Sequence, residues 1–215
     1  MIYFPEKIIN GQSVNSIANM VLSRIYGRGR GYSFSAADFI DEFEANNIDK
    51  ALSVLTKQRK IRRVIRGVYD YPKYSEFLKQ ELSPDIQEIA YAIARKFRWR
   101  IDPSGETALN LLNISTQVPG RYIYLSDGPN RSYLVGNTTL EFKKTVLKEI
   151  GFKYRYSGLI VSALKSLGKE HITDDVIATI KKQIDFKMCP KVLKDTNTVT
   201  AWVYDAIKQI CKGDI

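Results

Sequence analysis

Residues 35–71 constrain the fold more than any other stretch, because a helix-turn-helix spacing there runs straight into two strand-like segments. Ser35 reads as a helix N-cap, with Asp38 in the third helical position, where a carboxylate reaches back and favours the helix dipole. Phe39, Ile40 and Phe43 give that short helix an apolar face. Asn46-Asn47 breaks it and caps a second helix, since Asn side chains bond nearby backbone amides. In the second helix Ile48, Ala51, Leu52 and Leu55 recur at i, i+3, i+4 and i+7, an inward stripe. Lys50, Ser53, Lys57 and Lys60 lie opposite. Residues 61–65 and 68–71 then read as two strands joined through Arg66-Gly67, a tight-turn pair. The whole predicts helix, turn, helix and a β-hairpin wing.

The charges on this module point to its partner. Lys57, Arg59, Lys60, Arg62, Arg63 and Arg66 stand in one run with no acidic residue between them. Most charge runs are simply solvated surface. Here a helix-turn-helix pattern leads directly into the run, and double-stranded DNA becomes the expected partner. Asn46, Asn47, Lys50, Ser53 and Lys57 are placed to face the major groove, with Lys60 beside them. Arg62, Arg63 and Arg66 are placed on phosphates or in the minor groove. Two other readings stand beside this one: a protein-interaction module whose basic face meets an acidic partner or RNA, and the nuclease discussed below.

The chain's bounds agree. Its 215 residues allow one large or two small domains, and 44% hydrophobic residues suffice for a core. A formal charge of +10 favours a polyanion. No apolar run approaches the roughly 20 residues that span a bilayer, so no membrane is expected as partner. The start, MIYFPEKIIN, lacks the pattern of a signal peptide, which makes the cytoplasm the expected compartment. Cys189 and Cys211 are expected as reduced thiols, with Cys211 on a C-terminal helix. One histidine and two cysteines do not make a tetrahedral zinc site without carboxylate help, and no metal or cofactor is expected.

Along the rest of the chain, Val14, Ile17, Val21 and Ile25 predict a first helix over residues 13–26, begun by Ser13 or Asn10. Gly27-Arg28-Gly29-Arg30-Gly31 follows a helix and lacks dinucleotide-binding spacing. It is either a flexible connector or a mobile basic loop touching the DNA backbone through Arg28 and Arg30. Residues 72–84, bounded by prolines, predict a short helix at 75–82 and carry the boundary between domains 1–74 and 75–215. Ile86, Ile89, Ala90, Ile93 and Phe97 mark a helix that runs into Arg98-Trp99-Arg100, where Trp99 is read as core rather than as a base-stacking platform. Ser104 caps a short helix. Residues 121–143 read as three consecutive strands, with Asp127-Gly128-Pro129-Asn130 and Gly136-Asn137 as turns. Three amphipathic helices close the chain. Gly168 stops the first, Thr173 caps the second and Pro190 precedes the last.

Catalytic signatures are sparse. A phosphate-binding loop and a nucleophile elbow are both missing, and the lone His171 reads as a surface residue. One pattern leaves an enzymatic alternative: Asp102 with Glu141-Phe142-Lys143, and Glu106 nearby, loosely fits a metal-dependent nuclease. There carboxylates hold magnesium and a lysine supports the attacking water. The favoured reading names no catalytic residue.

Two stretches in order resemble a family. Residues 60–72, KIRRVIRGVYDYP, resemble the end of the winged helix-turn-helix domain of AbiEi-like antitoxins of the abortive-infection type. Residues 103–112, PSGETALNLL, followed by Gln117-Val118-Pro119 and the strand from Arg121, look like the start of that family's second domain. The likeness covers about residues 15–145, and the Gly-Arg loop departs from the pattern. The resemblance implies an α+β protein: an N-terminal winged helix-turn-helix, then a mixed domain with a small antiparallel sheet and a helical C-terminus. It implies a DNA-binding autorepressor of its own operon whose second domain neutralises a nucleotidyltransferase-like toxin. A homodimer is expected because repressors commonly pair on two half-sites.

Overall fold

The structure, a computed structural model, describes residues 8–9, 12–117, 119–146 and 150–212. Asn10, one of the two expected helix starts, and Val118 lie outside them. The chain is α+β and divides into two compact units, Met1–Arg98 and Trp99–Ile215. Among the described residues no helix is long and apolar enough to cross a membrane.

The first unit opens with a two-stranded ladder, β1 (Ile8–Ile9) and β2 (Gln12–Ser13), and then α1 (Val14–Arg28). Strand β3 (Ser33–Phe34) leads into a 3-10 turn, Ala36–Asp38, and α2 (Ala45–Lys57). The hairpin expected as a wing is β4 (Arg62–Ile65) and β5 (Val68–Asp70), and the sheet order is β3-β5-β4. This order of elements, with the last strand inserted between the other two, is compatible with a winged helix-turn-helix. Its core joins Ile17, Val21 and Ile25 of α1 to Ile48, Leu52 and Leu55 of α2. Each of these side chains contributes about 1.5–3 kcal/mol by leaving water.

Three local expectations are corrected here. The helix expected from Ser35 is only the 3-10 turn, although Asp38 does reach back to accept the Ser35 amide at 2.9 Å. The second helix starts before the Asn pair: Ala45 is its first residue and Glu44 its N-cap, so Asn46 and Asn47 lie within the first turn. Residues 75–82 form a hairpin instead of a helix, with β6 (Tyr74–Ser75) paired antiparallel to β7 (Gln80–Glu81). The side chain of Arg62 holds its base by donating to the Leu82 carbonyl at 3.1 Å, a contact that local helix propensity cannot anticipate.

The boundary also moves, from 74/75 to 98/99. Helix α3 (Ile86–Phe97) belongs to the first unit because its partners lie far back in sequence. Arg95 pairs with Asp38 and donates to the Ser33 carbonyl at 2.7 Å, and Lys96 Nζ donates to the Arg66 carbonyl at 3.3 Å. Asp85 caps the helix by accepting the Gln87 and Glu88 amides.

The second unit contains β8 (Ile101–Pro103), α4 (Gly105–Leu111), β9 (Arg121–Ser126), β10 (Arg131–Val135) and β11 (Thr138–Lys144). Helices α5 (Arg155–Leu167), α6 (Asp174–Gln183), α7 (Cys189–Asp195) and α8 (Ala201–Ile210) complete it. Gly136-Asn137 does connect a hairpin, since Val135 faces Thr138. The sheet as a whole is mixed rather than antiparallel. Its order is β10-β11-β9-β8, and β9 runs parallel to β11. The Asp127–Asn130 segment therefore does not fold β10 back onto β9. Asp127 instead accepts the Arg100 amide at 2.9 Å, and the Trp99 indole lies where a Gly128 side chain would stand. Trp99 meets Phe142 edge-on at 5.6 Å, in keeping with its reading as a packing residue. In the helical part Gly168 ends α5 at φ 80°, and Thr173 Oγ1 accepts the Val176 amide. Pro190 sits inside the first turn of α7, an unexpected short helix, rather than between helices. Cys189 and Cys211 are free thiols; burial and the neighbouring Cys189 push Cys211 up to about 12.

Candidate nucleic-acid interface

Helix α2 is amphipathic in a way that sorts its residues. Asn47, Ile48, Ala51, Leu52 and Leu55 are buried. Asn46, Lys50, Ser53 and Lys57 are all exposed. At about 100° per residue these four fall within about 60° of arc, one solvent-facing stripe. Asp49, also exposed, borders it and supplies the stripe's acidic edge. Asn47 is corrected: at 6% exposure it belongs to the inner side of the helix and is not available to a groove.

The stripe ends in a Schellman-type stop. The Lys60 amide donates to the Leu55 carbonyl and the Arg59 amide to that of Thr56, both at 3.0 Å, with Arg59 at φ 56°. Glycine is the usual residue there, because a Cβ strains the left-handed conformation. Arg59, Lys60, Arg63 and Arg66 are exposed beyond this point. The side chains of Lys50, Lys57, Arg59, Lys60, Arg63 and Arg66 make no hydrogen bond or ion pair among the described residues, so all six are open to an incoming anion. Arg59 belongs to the charge run but not to the residues that the sequence places on DNA; its exposure here adds it to them. Arg66 lies at the wing's two-residue turn, where Gly67 takes φ 74°.

Arg62 is the second correction. Its guanidinium grips Asp70 through two hydrogen bonds, at 3.0 and 2.6 Å, and also donates to the Leu82 carbonyl. Asp70 is 2% exposed, and burial pushes its carboxyl above the ordinary range in spite of that partner. Arg62 is thus the counter-ion of a buried carboxylate, not a phosphate ligand.

The Gly-Arg loop is tied down. The Gly31 amide donates to the Tyr71 carbonyl at 2.6 Å, and the Tyr71 amide to that of Tyr32 at 2.9 Å. The Arg30 guanidinium stacks 4.7 Å from the Tyr71 ring centre and donates to the Pro72 carbonyl. Arg28 lies 5.9 Å from the Tyr32 ring centre. Both arginines are exposed, so each retains a face for solvent or phosphate.

Asp102 and Glu141 of the nuclease alternative are not brought together. Asp102 is 5% exposed, accepts the Gly151 amide at 3.3 Å and presses on Gly158, leaving no room there for a Cβ beside Oδ1. Burial pushes its carboxyl up to about 7, and the negative charge of Asp195 adds to this. Glu141 pairs with Arg121 at 3.5 Å. Strand β9 separates β8 from β11, which puts their backbones about 10 Å apart. Among the described residues no group of three or more His, Cys, Asp or Glu is placed to hold a metal ion.

A model of a protein family, described as a family of unknown function (DUF6088), matches residues 20–193. The chain belongs to the DUF6088 family. The match takes in α2, the wing and the whole mixed sheet, so the open cations of this DUF6088 protein lie inside the family region. No curated protein matches it. Among solved structures it is similar to the crystal structure of the RV2827C protein from Mycobacterium tuberculosis, at 10% identity and a TM-score of 0.39. That similarity covers 96% of this chain and 78% of the other.

Proposed function

We propose that this DUF6088 protein is a cytoplasmic, non-catalytic DNA-binding autorepressor of antitoxin type. The observation that carries the DNA reading is the solvent-facing stripe Asn46, Lys50, Ser53 and Lys57 on a helix whose opposite side is buried, continued by the open cations Arg59, Lys60, Arg63 and Arg66. In this reading α2 enters the major groove, and its lysines, Ser53 and Asn46 reach base edges and phosphates. The wing cations neutralise backbone charge, with Arg28 and Arg30 as further backbone contacts. The order of elements supports a winged helix-turn-helix. The second unit's role, holding a nucleotidyltransferase-like toxin, is proposed from the resemblance of residues 60–72 and 103–112 to AbiEi-like antitoxins.

The test is fluorescence anisotropy on the DNA upstream of its own gene, across a salt series. A Lys57/Arg63/Arg66 triple alanine variant should bind more weakly, with a log–log salt slope shallower by about three, since each phosphate contact contributes about 0.9. Unchanged affinity and slope would remove the assignment. Co-expression with the neighbouring gene product tests the antitoxin half: rescue of growth by the second unit supports it, and growth arrest with or without it rejects it.

A further inference from the structure

Among the described residues of the first unit, the β6–β7 arm carries the two most exposed large apolar side chains, Phe77 at 94% and Leu78 at 52%, with Tyr74 at 43% beside them. The arm is anchored at its base: the Leu82 amide donates to the Lys73 carbonyl at 2.8 Å, and Arg62 reaches both the Leu82 carbonyl and, at 3.9 Å, Glu81. Its ladder has two residue pairs, Tyr74 with Glu81 and Ser75 with Gln80. A two-stranded hairpin of this size is marginal in water unless something covers it.

Charge narrows what the cover is. The chain carries +10 overall, so two copies repel over most of their surface. In residues 73–82 the two cations Lys73 and Lys79 cancel the two anions Glu76 and Glu81. The arm therefore has no surplus of positive charge with which to enter a DNA groove. At the tip Glu76 and Lys79 flank the Phe77-Leu78 pair, 3.7 Å apart and with side chains 85% and 76% exposed. An acid and a base placed about an apolar centre are self-complementary under two-fold rotation: Glu76 of one copy meets Lys79 of the other while the Phe77 and Leu78 side chains stack between them. A two-fold contact uses the same patch on both subunits, which is the requirement this tip meets.

We propose that the β6–β7 arm is a homodimer contact, pairing tip to tip with the same arm of a second copy of this chain. The contact is small and gives a weak dimer, at the low end of the size range for specific interfaces. The pairing does not depend on DNA.

Sedimentation velocity of the full chain, free of DNA and at moderate salt, tests it over about 2–200 µM. The wild type should shift from monomer to dimer across that range. Phe77→Ser/Leu78→Ser should weaken association at least about tenfold, with an unchanged circular dichroism spectrum because the tip touches no core. Glu76→Lys should weaken it too, by setting lysine against lysine, and Glu76→Lys/Lys79→Glu should restore it. A wild type that stays monomeric at the highest concentration overturns the proposal; so does a dimer indifferent to the tip substitutions, or a charge reversal that the double variant fails to rescue. A monomer whose DNA affinity falls with Phe77→Ser/Leu78→Ser would instead make the tip a DNA contact, and equally overturns it.

Discussion

Replacing Arg62 separates two roles for an arginine in the middle of a basic run. The structure gives its guanidinium to Asp70, a carboxylate 2% exposed, through two hydrogen bonds. Arg62→Ala leaves that carboxylate buried with no counter-ion. Breaking such a pair from one side costs about 3–5 kcal/mol, and the partial exposure of Arg62 puts the expectation near the lower end, about 3 kcal/mol. The loss has a defined pH dependence. Without its partner Asp70 holds a proton more tightly in the folded than in the unfolded chain, so folding takes up a proton. The penalty is then small below about pH 4, where both states are protonated, and grows as pH rises through the higher, folded-state pKa. Urea unfolding at pH 5 and pH 8, followed by circular dichroism, reads this directly: the variant should lose more at pH 8. Arg62→Met/Asp70→Leu, which removes both charges, should recover most of the loss. An Arg62→Ala variant that unfolds with the wild type, while losing DNA affinity as Arg63→Ala does, would refute the assignment and return Arg62 to the phosphate contacts.

Two further substitutions probe other strained groups. Burial holds the Asp102 carboxyl near pH 7, well above its unfolded value, so its ionisation costs stability as pH rises between about 4 and 7. Asp102→Asn keeps an oxygen for the Gly151 amide, and should raise stability at pH 8 by up to about 4 kcal/mol while changing it little at pH 4. Parallel stability–pH curves for the two proteins would contradict the buried position. Arg59→Gly should stabilise the first unit by about 0.5–1 kcal/mol, since glycine adopts the left-handed cap without strain. A lower melting temperature in that variant would argue against the cap.

What the sequence reveals here is what is local. The spacing of Ile48, Ala51, Leu52 and Leu55 identifies the buried side of α2, and the same periodicity leaves Lys50, Ser53 and Lys57 outside. Arg66-Gly67 and Gly136-Asn137 are legible because a two-residue turn needs particular residues. The misses have longer reach. Asn47 lies at the margin of the apolar stripe, where spacing cannot separate a buried amide from an exposed one. Arg62 pairs with Asp70 only because the β4–β5 register sets them opposite each other. Local spacing places helix α3 with the second unit, because Asp38 lies 57 residues before its partner Arg95. Residues 75–82 are rich in helix formers, and only the anchoring of their ends turns them into a hairpin.

The parallel pairing of β9 with β11 has a consequence for synthesis. Arg121–Ser126 is made before either strand of the 131–144 hairpin, and its earlier neighbour, β8, covers one side only. The other side stays bare until Thr138–Lys144 has emerged and folded back with β10 already attached. For that interval the nascent chain displays an open row of amides and carbonyls, the kind of surface that recruits stray strands.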